Sequence, residues 1–142
     1  MADRTASVTW KGSLMDGWGT IERVGSGAFG PLDVTWASRA EDPDGRTSPE
    51  ELIAAAHAAC FSMALSHGLA QAGTPPERLE TSATVTFVPG TGITKIALTV
   101  RGLVPGLDEA GFVGAAEIAK LNCPVSKALA AVPEITLEAA LL

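Results

Sequence analysis

Two cysteines are the residues in this chain that could do redox chemistry. Cys60 lies in the middle of the apolar stretch EELIAAAHAACFSMAL, and Cys123 lies in the segment LNCPVSKAL. A thiol in apolar surroundings has a raised pKa and is inert, so Cys60 taken alone is more simply a packing residue. Cys123 precedes Pro124, which fits the first position of a short helix, and a thiolate at a helix start is stabilised by unpaired N–H groups. The two cysteines could therefore serve as an attacking and a resolving thiol. Their spacing is not that of a C-x-x-C motif, so only the fold can bring them together.

Histidine is the second residue type with possible chemistry. His57 lies three residues before Cys60 and on the same helix face, where it could act as a base or a metal ligand. The simpler interpretation is a core histidine that is hydrogen-bonded to backbone or water. His67, near the helix end, is expected at the surface. A zinc site built from His57, Cys60 and Cys123 lacks a clear fourth ligand and any C-x-x-C or H-x-x-x-H spacing, so we expect neither a metal nor another cofactor.

A nucleophilic Cys60 would need a nearby positive charge. Burial disfavours the thiolate, whereas an opposite charge within ~4–6 Å lowers the pKa of a thiol. Arg39 ends the segment LDVTWASR, which we interpret as a strand, and Arg46 lies in the polar loop that follows. Residue chemistry alone does not choose between these two arginines.

Composition and charge limit the class of protein. The chain has 142 residues, of which 46% are hydrophobic and 18% charged, as expected for a single folded domain spanning residues 1–142. Its net charge of −6, without runs of like charge, argues against nucleic acid and anionic membrane surfaces as partners. No apolar stretch reaches ~18 residues without polar interruption, so we expect no transmembrane helix. The start MADRTASVTWKG has no apolar signal-peptide region, which predicts a cytoplasmic protein.

The first third of the chain is predicted to form strands. In SVTWKG, WGTIERV and LDVTWASR, apolar residues alternate with polar ones. Such alternation is typical of antiparallel strands that have one face in water, and Gly-rich connections separate the three segments. We expect an antiparallel meander.

A long central helix should follow the polar loop. Ser48 fits the N-cap, Pro49 the first helical position and Glu51 the third, which together predict a capping box. Glu51 then has a structural task, folding back onto the Ser48 backbone, whereas Glu50 is left without one. The helix should run to about Leu69 or Ala70 and stop near Gly73. Its residues are apolar around most of the circumference, so we expect burial on most sides with the help of a second chain.

The second half of the chain alternates between strands and helices. Two strands are predicted on either side of a hairpin at 89–92, followed by a helix from an N-cap at Asp108 to about Leu121. A short helix should begin at Pro124 with Cys123 as its N-cap. Ile135 and Leu137 indicate a final strand. This order of elements predicts an α+β fold.

The segments SPEELIAAAHAACFSMAL and LNCPVSKAL closely resemble the OsmC/Ohr family of thiol-dependent hydroperoxide peroxidases. The resemblance extends through VTWKGSLMDGWGT, TKIALTV and VPGLDEAGF and covers nearly the whole chain. His57 makes the chain similar to the OsmC branch. The resemblance implies an α+β fold with antiparallel sheets around a long central buried helix. It also implies an intertwined homodimer with two active sites at the subunit interface.

The resemblance also implies roles for individual residues. Cys60 matches the peroxidatic cysteine, Cys123 the resolving cysteine, and Glu50 the glutamate of the family's Pro-Glu motif. The family's arginine maps best to Arg39, with Arg46 as the alternative because the loop is about one residue longer here. The implied reaction reduces an organic hydroperoxide to an alcohol through a Cys60 sulfenic acid and a Cys60–Cys123 disulfide. A dithiol, of the lipoyl type, then regenerates both thiols without any further cofactor.

Helix geometry constrains how these residues can meet. Glu50 and Cys60 are ten residues apart, which separates them by roughly 15 Å along a straight helix. If both serve one site, either the helix is broken or Glu50 comes from the second subunit. The remaining alternative is a non-enzymatic dimer of the same fold that binds a small ligand or senses redox state, but the presence of both cysteines, Glu50 and an arginine favours the enzyme.

Overall fold

The computed structural model describes residues 1–142 and contains six strands and four helices, so the predicted α+β class is confirmed. The chain divides into two compact units, 1–52 and 53–142, and its description as a single domain stays a prediction. In chain order the elements are β1 (Ala6–Lys11), β2 (Trp18–Val24), β3 (Leu32–Val34), α1 (Trp36–Ala40), α2 (Pro49–Gln71), β4 (Arg78–Val88), β5 (Gly92–Leu103), α3 (Glu109–Asn122), α4 (Pro124–Ala128) and β6 (Glu134–Leu141).

The first unit contains the predicted antiparallel meander, with strand order β1-β2-β3. The expected alternation holds in β2, where Ile21 is buried, and in β3, where Leu32 is more buried than Asp33. It is wrong for β1, which is exposed along its whole length. Val8 and Trp10 are 59% and 40% exposed, because this edge strand has no second layer over its apolar face.

The strand predicted for LDVTWASR is the main correction to the first unit. Strand β3 ends at Val34, and Trp36–Ala40 forms a short helix instead. A capping box starts this helix: the Ser38 N–H donates to Thr35 Oγ1 at 3.0 Å, and the Thr35 N–H donates to Ser38 Oγ at 2.9 Å. Two backbone donors are thus satisfied locally, which favours the helix over a longer strand. Arg39 therefore lies in the last turn of a helix.

Helix α2 begins at Pro49, as predicted, and runs to Gln71. The Ser48 hydroxyl accepts from the Glu51 N–H at 3.2 Å, so the N-cap is confirmed. The second half of the predicted capping box differs, since the Glu51 carboxylate accepts from Thr47 Oγ1 at 2.8 Å. Glu51 remains occupied at the helix start, and Glu50 is the carboxylate left for another partner.

The second unit is a three-stranded sheet with order β4-β5-β6 and two helices that connect its last two strands. β4 and β5 are antiparallel and form the predicted hairpin, in which the Thr91 N–H donates to the Val88 carbonyl at 2.9 Å. Gly90, with φ of 80°, provides the left-handed residue that this turn needs. β6 pairs with β5 in parallel, because α3 and α4 carry the chain back across the sheet.

The core of the second unit is built on one stripe of α2. His57, Phe61, Leu65 and Leu69 recur every fourth residue and are all fully or almost fully buried. The apolar residues of this stripe pack in one cluster with inward-facing residues of β5 and apolar residues of α3. The buried apolar cluster comprises Phe61, Leu65, Leu69, Leu98, Val100, Val104, Phe112, Ala116, Ala119 and Cys123.

The rest of α2 remains largely uncovered within one chain. Met63 is 72% exposed, and only 22% of the most apolar 18-residue window of the helix is buried. The helix is long and apolar enough to cross a membrane, a property it shares with the core helices of water-soluble proteins. Because its buried stripe forms the core of the second unit, α2 is a core helix with apolar surface left over.

Gly102 provides a test of this packing. A Cβ at this position in β5 would lie 2.5 Å from Cε2 of the fully buried Phe112, so the ring would have to move. We expect Gly102→Ala to lower the free energy of unfolding by about 1–3 kcal/mol. Urea denaturation followed by circular dichroism measures this change.

Gly114 offers the matched control within α3. A Cβ there meets nothing within 4 Å, and alanine is the better helix former. Gly114→Ala should therefore leave the free energy of unfolding unchanged or raise it by up to about 1 kcal/mol. Equal effects at the two positions would contradict the packing of Phe112 against β5.

Candidate active site

The structure brings the two cysteines of the second unit together. Both are free thiols; Cys60 is partly buried and Cys123 fully buried. Each thiol shifts the pKa of the other, and Cys60 packs against the buried cluster that contains Cys123, so the two are neighbours although they lie on α2 and at the start of α4. The fold therefore joins two cysteines that are 63 positions apart in the sequence.

Cys123 has the more acidic thiol. Burial alone raises the pKa of Cys123, but four hydrogen bonds outweigh that effect and the net pKa is lowered. The donors are the backbone N–H of Ser126, the Cys60 thiol, the Ser126 hydroxyl and the backbone N–H of Val125. Cys123 occupies the N-cap of α4 and Pro124 its first position, as predicted. Pro124 has no N–H, and the next two N–H groups, those of Val125 and Ser126, have no partner within the helix and are available near the sulfur.

Cys60 has the opposite environment. Burial raises the pKa of the Cys60 thiol, and the hydrogen bond and charge of Cys123 raise it further. The backbone N–H of Val125 acts in the other direction without reversing the shift. Cys60 also packs against the apolar cluster of the second unit. In this environment Cys60 is a thiol at neutral pH, and its ionisation requires additional positive charge.

His57 is a core residue, and its hydrogen-bond partner is a side chain. It is fully buried, and its Nε2 lies 2.7 Å from Ser126 Oγ. Its Nδ1 is buried without a partner. Burial lowers the pKa of His57, so the imidazole is neutral. His67 is exposed, as predicted.

The predicted arginine and glutamate meet in the first unit. The Arg39 guanidinium donates from Nε to both carboxylate oxygens of Glu50, at 3.0 and 3.2 Å, and from Nη2 to Oε1 at 2.8 Å. The side chain of Glu50 is only 7% exposed and that of Arg39 is 32% exposed. This two-pronged geometry fixes the plane of the guanidinium.

The alternative arginine lies elsewhere. Arg46 bonds to the Asp44 carboxylate at 3.2 Å within the surface loop, and the side chain of Asp44 is 85% exposed. Of the two arginines that the sequence left open, Arg39 is therefore the partner of Glu50. Its role in any reaction stays a prediction.

Helix α2 is unbroken from Pro49 to Gln71. The helix is therefore not broken between Glu50 and Cys60, so the first of the two alternatives left by the sequence is not the one found. The structure thus brings the predicted site residues together as two pairs, Cys60 with Cys123 and Arg39 with Glu50.

An apolar groove of about 670 Å³ lies between α2 and α3. Most of its lining residues are small, with His67 and Ile118 as larger ones, and it reaches Asn122 and Pro124 beside Cys123, but neither cysteine lines it. No group of three or more histidine, cysteine or acidic side chains is placed to hold a metal ion.

Ser126 was not identified from the sequence as a site residue. Its spacing of three from Cys123, which places both on one side of a helical turn, was the available signal.

Removing Arg39 should destabilise the protein, because Glu50 would be left as a buried, unpaired carboxylate. We expect Arg39→Met to lower the free energy of unfolding by about 1–3 kcal/mol, reduced from the value for a fully buried pair because Arg39 is partly exposed. Arg46→Met is the matched control, with an expected change below about 0.5 kcal/mol since its ion pair is solvent-exposed. Chemical denaturation measures the free energy of unfolding of both variants. If Arg39→Met loses no more of it than Arg46→Met, the Arg39–Glu50 pair is not important for stability.

Comparison with known proteins places the chain in a family. Residues 42–138 match the model of the OsmC-like protein family. The chain is 46% identical over 132 residues to peroxiredoxin OsmC of Escherichia coli, covering 91% of this chain and 90% of that protein. Among solved structures, it is similar to organic hydroperoxide resistance protein OhrB of Bacillus subtilis, with a TM-score of 0.65, 25% identity and coverage of 97% and 98% of the two chains. An organic hydroperoxide resistance protein OsmC of Legionella pneumophila shares the fold, with a TM-score of 0.70, 23% identity and 96% coverage of both chains. The chain belongs to the OsmC-like family.

Proposed function

We propose that this protein is a cytoplasmic, thiol-dependent peroxidase that reduces organic hydroperoxides to alcohols. The observation that carries the proposal is the pair of neighbouring free thiols, Cys60 and Cys123, on a chain 46% identical to a peroxiredoxin. The apolar surroundings of Cys60 support substrates with apolar tails. The similarity to proteins named for organic hydroperoxide resistance agrees with this substrate class.

The proposed reaction has three steps. The Cys60 thiolate attacks the distal oxygen of the hydroperoxide, the O–O bond breaks, and the alkoxide leaves and takes up a proton to become the alcohol. Cys60 is then a sulfenic acid. The Cys123 thiolate attacks the Cys60 sulfur, a disulfide forms and hydroxide leaves. A dithiol of the lipoyl type reduces this disulfide by exchange and is itself oxidised to a cyclic disulfide.

The lowered pKa of Cys123 agrees with its role as the resolving thiol, whereas the raised pKa of Cys60 means that an attacking Cys60 needs help to ionise. Cys123 is more readily a thiolate, as a resolving thiol needs to be, because hydrogen bonds outweigh its burial and lower its pKa. The pKa of Cys60 is raised by burial, so an attacking Cys60 needs a positive charge beside it. Arg39, oriented by Glu50, is the candidate for that charge.

If Arg39 provides the positive charge for Cys60, we propose that each active site is composite, with residues from two subunits. Glu50 lies roughly 15 Å along the helix from the Cys60 of its own chain. In a homodimer, the Arg39–Glu50 pair of one subunit would serve the cysteine pair of the other. The uncovered apolar surface of α2 supports the presence of a second copy.

The first test is a thiol count with intact mass spectrometry after addition of one equivalent of cumene hydroperoxide. We expect the wild-type chain to lose both thiols and the mass of two hydrogens, as disulfide formation requires. The Cys60→Ser variant should not react. The Cys123→Ser variant should gain one oxygen on Cys60 and then stall or over-oxidise.

Other outcomes of this test would contradict parts of the proposal. If both wild-type thiols survive, the peroxidase function is wrong and a ligand-binding role becomes the hypothesis to pursue. If Cys123→Ser turns over repeatedly at the wild-type rate, Cys123 is not the resolving thiol.

The composite site is tested with heterodimers of two differently tagged chains. One chain carries Cys60→Ser and the other Arg39→Met, and each homodimer should have little activity. Their heterodimer contains one complete composite site, so we expect about half the wild-type peroxidase rate per dimer.

The reciprocal heterodimer is the control. It pairs a wild-type chain with a chain carrying both Cys60→Ser and Arg39→Met, and a composite arrangement leaves neither of its sites complete. Half activity in this control, with none in the first heterodimer, would show that each site lies within one chain. A monomeric protein by light scattering would also overturn the composite site.

A further inference from the structure

The proposed reaction leaves His57 and Ser126 without a task. These two side chains form the one hydrogen bond of His57, with 2.7 Å between Nε2 and Oγ. Both residues are buried, and they are 69 positions apart in the chain. The Ser126 hydroxyl also acts on Cys123, since it lowers the pKa of that thiol, and Ser126 is the third residue of the short helix that Cys123 caps. A chain of contacts therefore runs from the buried imidazole through Ser126 to the sulfur of Cys123.

The direction of these hydrogen bonds follows from the number of available hydrogens. A serine hydroxyl has one hydrogen, and a thiolate can only accept. If Ser126 donates to the Cys123 thiolate, its oxygen must accept in the contact with His57. His57 therefore carries its hydrogen on Nε2 and donates it, which leaves Nδ1 as a bare nitrogen.

The surroundings of Nδ1 agree with this tautomer. The atom is buried without a hydrogen-bond partner. A protonated imidazole would bury a second N–H at this place with no acceptor, and an unmatched buried donor is costly. Burial accordingly lowers the pKa of His57, and the ring stays neutral.

Ser126 needs such a donor to keep its orientation. A serine hydroxyl inside a helix can rotate toward a backbone carbonyl of the preceding turn. A donor directed at its oxygen from His57 occupies one lone pair and favours the rotamer in which the hydrogen meets Cys123. The sulfur then receives the hydroxyl in addition to the backbone N–H groups of Ser126 and Val125.

We propose that His57 and Ser126 form a positioning pair, in which a neutral His57 donates from Nε2 to Ser126 so that the Ser126 hydroxyl donates to the Cys123 thiolate. In the resolving step, this thiolate attacks the sulfenic sulfur of Cys60, the S–S bond forms, the S–O bond breaks, and the leaving hydroxide takes a proton from water. His57 neither takes nor gives a proton. The importance of the pair for turnover rests on the proposed function, whereas the positioning itself does not.

The test titrates the Cys123 thiolate directly in the full-length chain. Cys60→Ser leaves Cys123 as the only thiol and replaces the Cys60 thiol, the ionisable group that contacts it, with a hydroxyl that can still donate. Thiolate formation is followed by ultraviolet absorbance, which is simple here because the chain contains no tyrosine. Absorbance needs no reagent access, so the complete burial of Cys123 does not interfere.

Three further substitutions are compared in this background. His57→Leu removes the donor, and Ser126→Ala removes the hydroxyl. At a pH below the midpoint, we expect each to lower the fraction of thiolate by roughly 3- to 10-fold, with no further loss when they are combined. His57→Gln retains a neutral N–H donor close to the position of Nε2 and should stay within about 2-fold of the parent.

The outcomes separate positioning from the alternatives. An unchanged titration in Ser126→Ala overturns the proposal, and this small substitution keeps the test valid if His57→Leu does not fold. A loss in His57→Gln as large as in His57→Leu also overturns it, because glutamine supplies the hydrogen bond but cannot act as a base. Failure of the peroxidase function would appear separately, as unreacted thiols after hydroperoxide with this titration pattern intact.

Discussion

Burial of a thiol is the constraint on which the rest of the site depends. An apolar environment favours the neutral form, so each cysteine ionises only as far as donors or charges offset its burial. At Cys123 the donors prevail, since the N–H groups at the start of α4, the Ser126 hydroxyl and the Cys60 thiol together lower its pKa by more than burial raises it. At Cys60 burial prevails, because its helix has no free N–H groups in mid-course and Val125 supplies one donor. The same fold thus produces two thiols of opposite tendency in contact with each other.

Because burial keeps Cys60 protonated, the proposed reaction needs a positive charge beside it, and Arg39, paired with Glu50, is the candidate. A carboxylate that is 7% exposed is tolerated because the guanidinium meets it along one edge. The Ser48 cap and the Thr47–Glu51 hydrogen bond hold the helix start, so Glu50 is free for this pairing. The outcome is a guanidinium fixed in orientation, which is what the role proposed for Arg39 requires.

Signals between neighbouring residues predicted most of the helices and strands. Contacts between residues far apart in the sequence could not be predicted. The caps at Ser48 and Asp108 and the Cys123–Pro124 helix start depend on neighbouring residues, and each was confirmed. The strand expected through Trp36 was wrong, since the capping box that begins at Thr35 outweighed the alternation of apolar residues. The likeness to the OsmC/Ohr family, now confirmed as membership of the OsmC-like family, identified Cys60 and Cys123 for the site. The partner of His57 could not be found in this way, because it lies 69 residues away and only the packed structure joins them.

Two deficits of the single chain have one physical solution. The surface is incomplete, because Met63 on α2 and the β-strand residues Val8 and Trp10 leave apolar area in water. The proposed reaction would also be incomplete, because ten residues of one helix separate Glu50 from the Cys60 of its own chain. A second copy of the chain would cover this apolar area. It would also bring its own Arg39–Glu50 pair to the cysteines of the first copy. The apolar area buried would also exclude water from the sulfenic acid and strengthen the attraction between the guanidinium and the thiolate. Association and catalysis would then be coupled, since the same contacts that hold two chains together would complete the site.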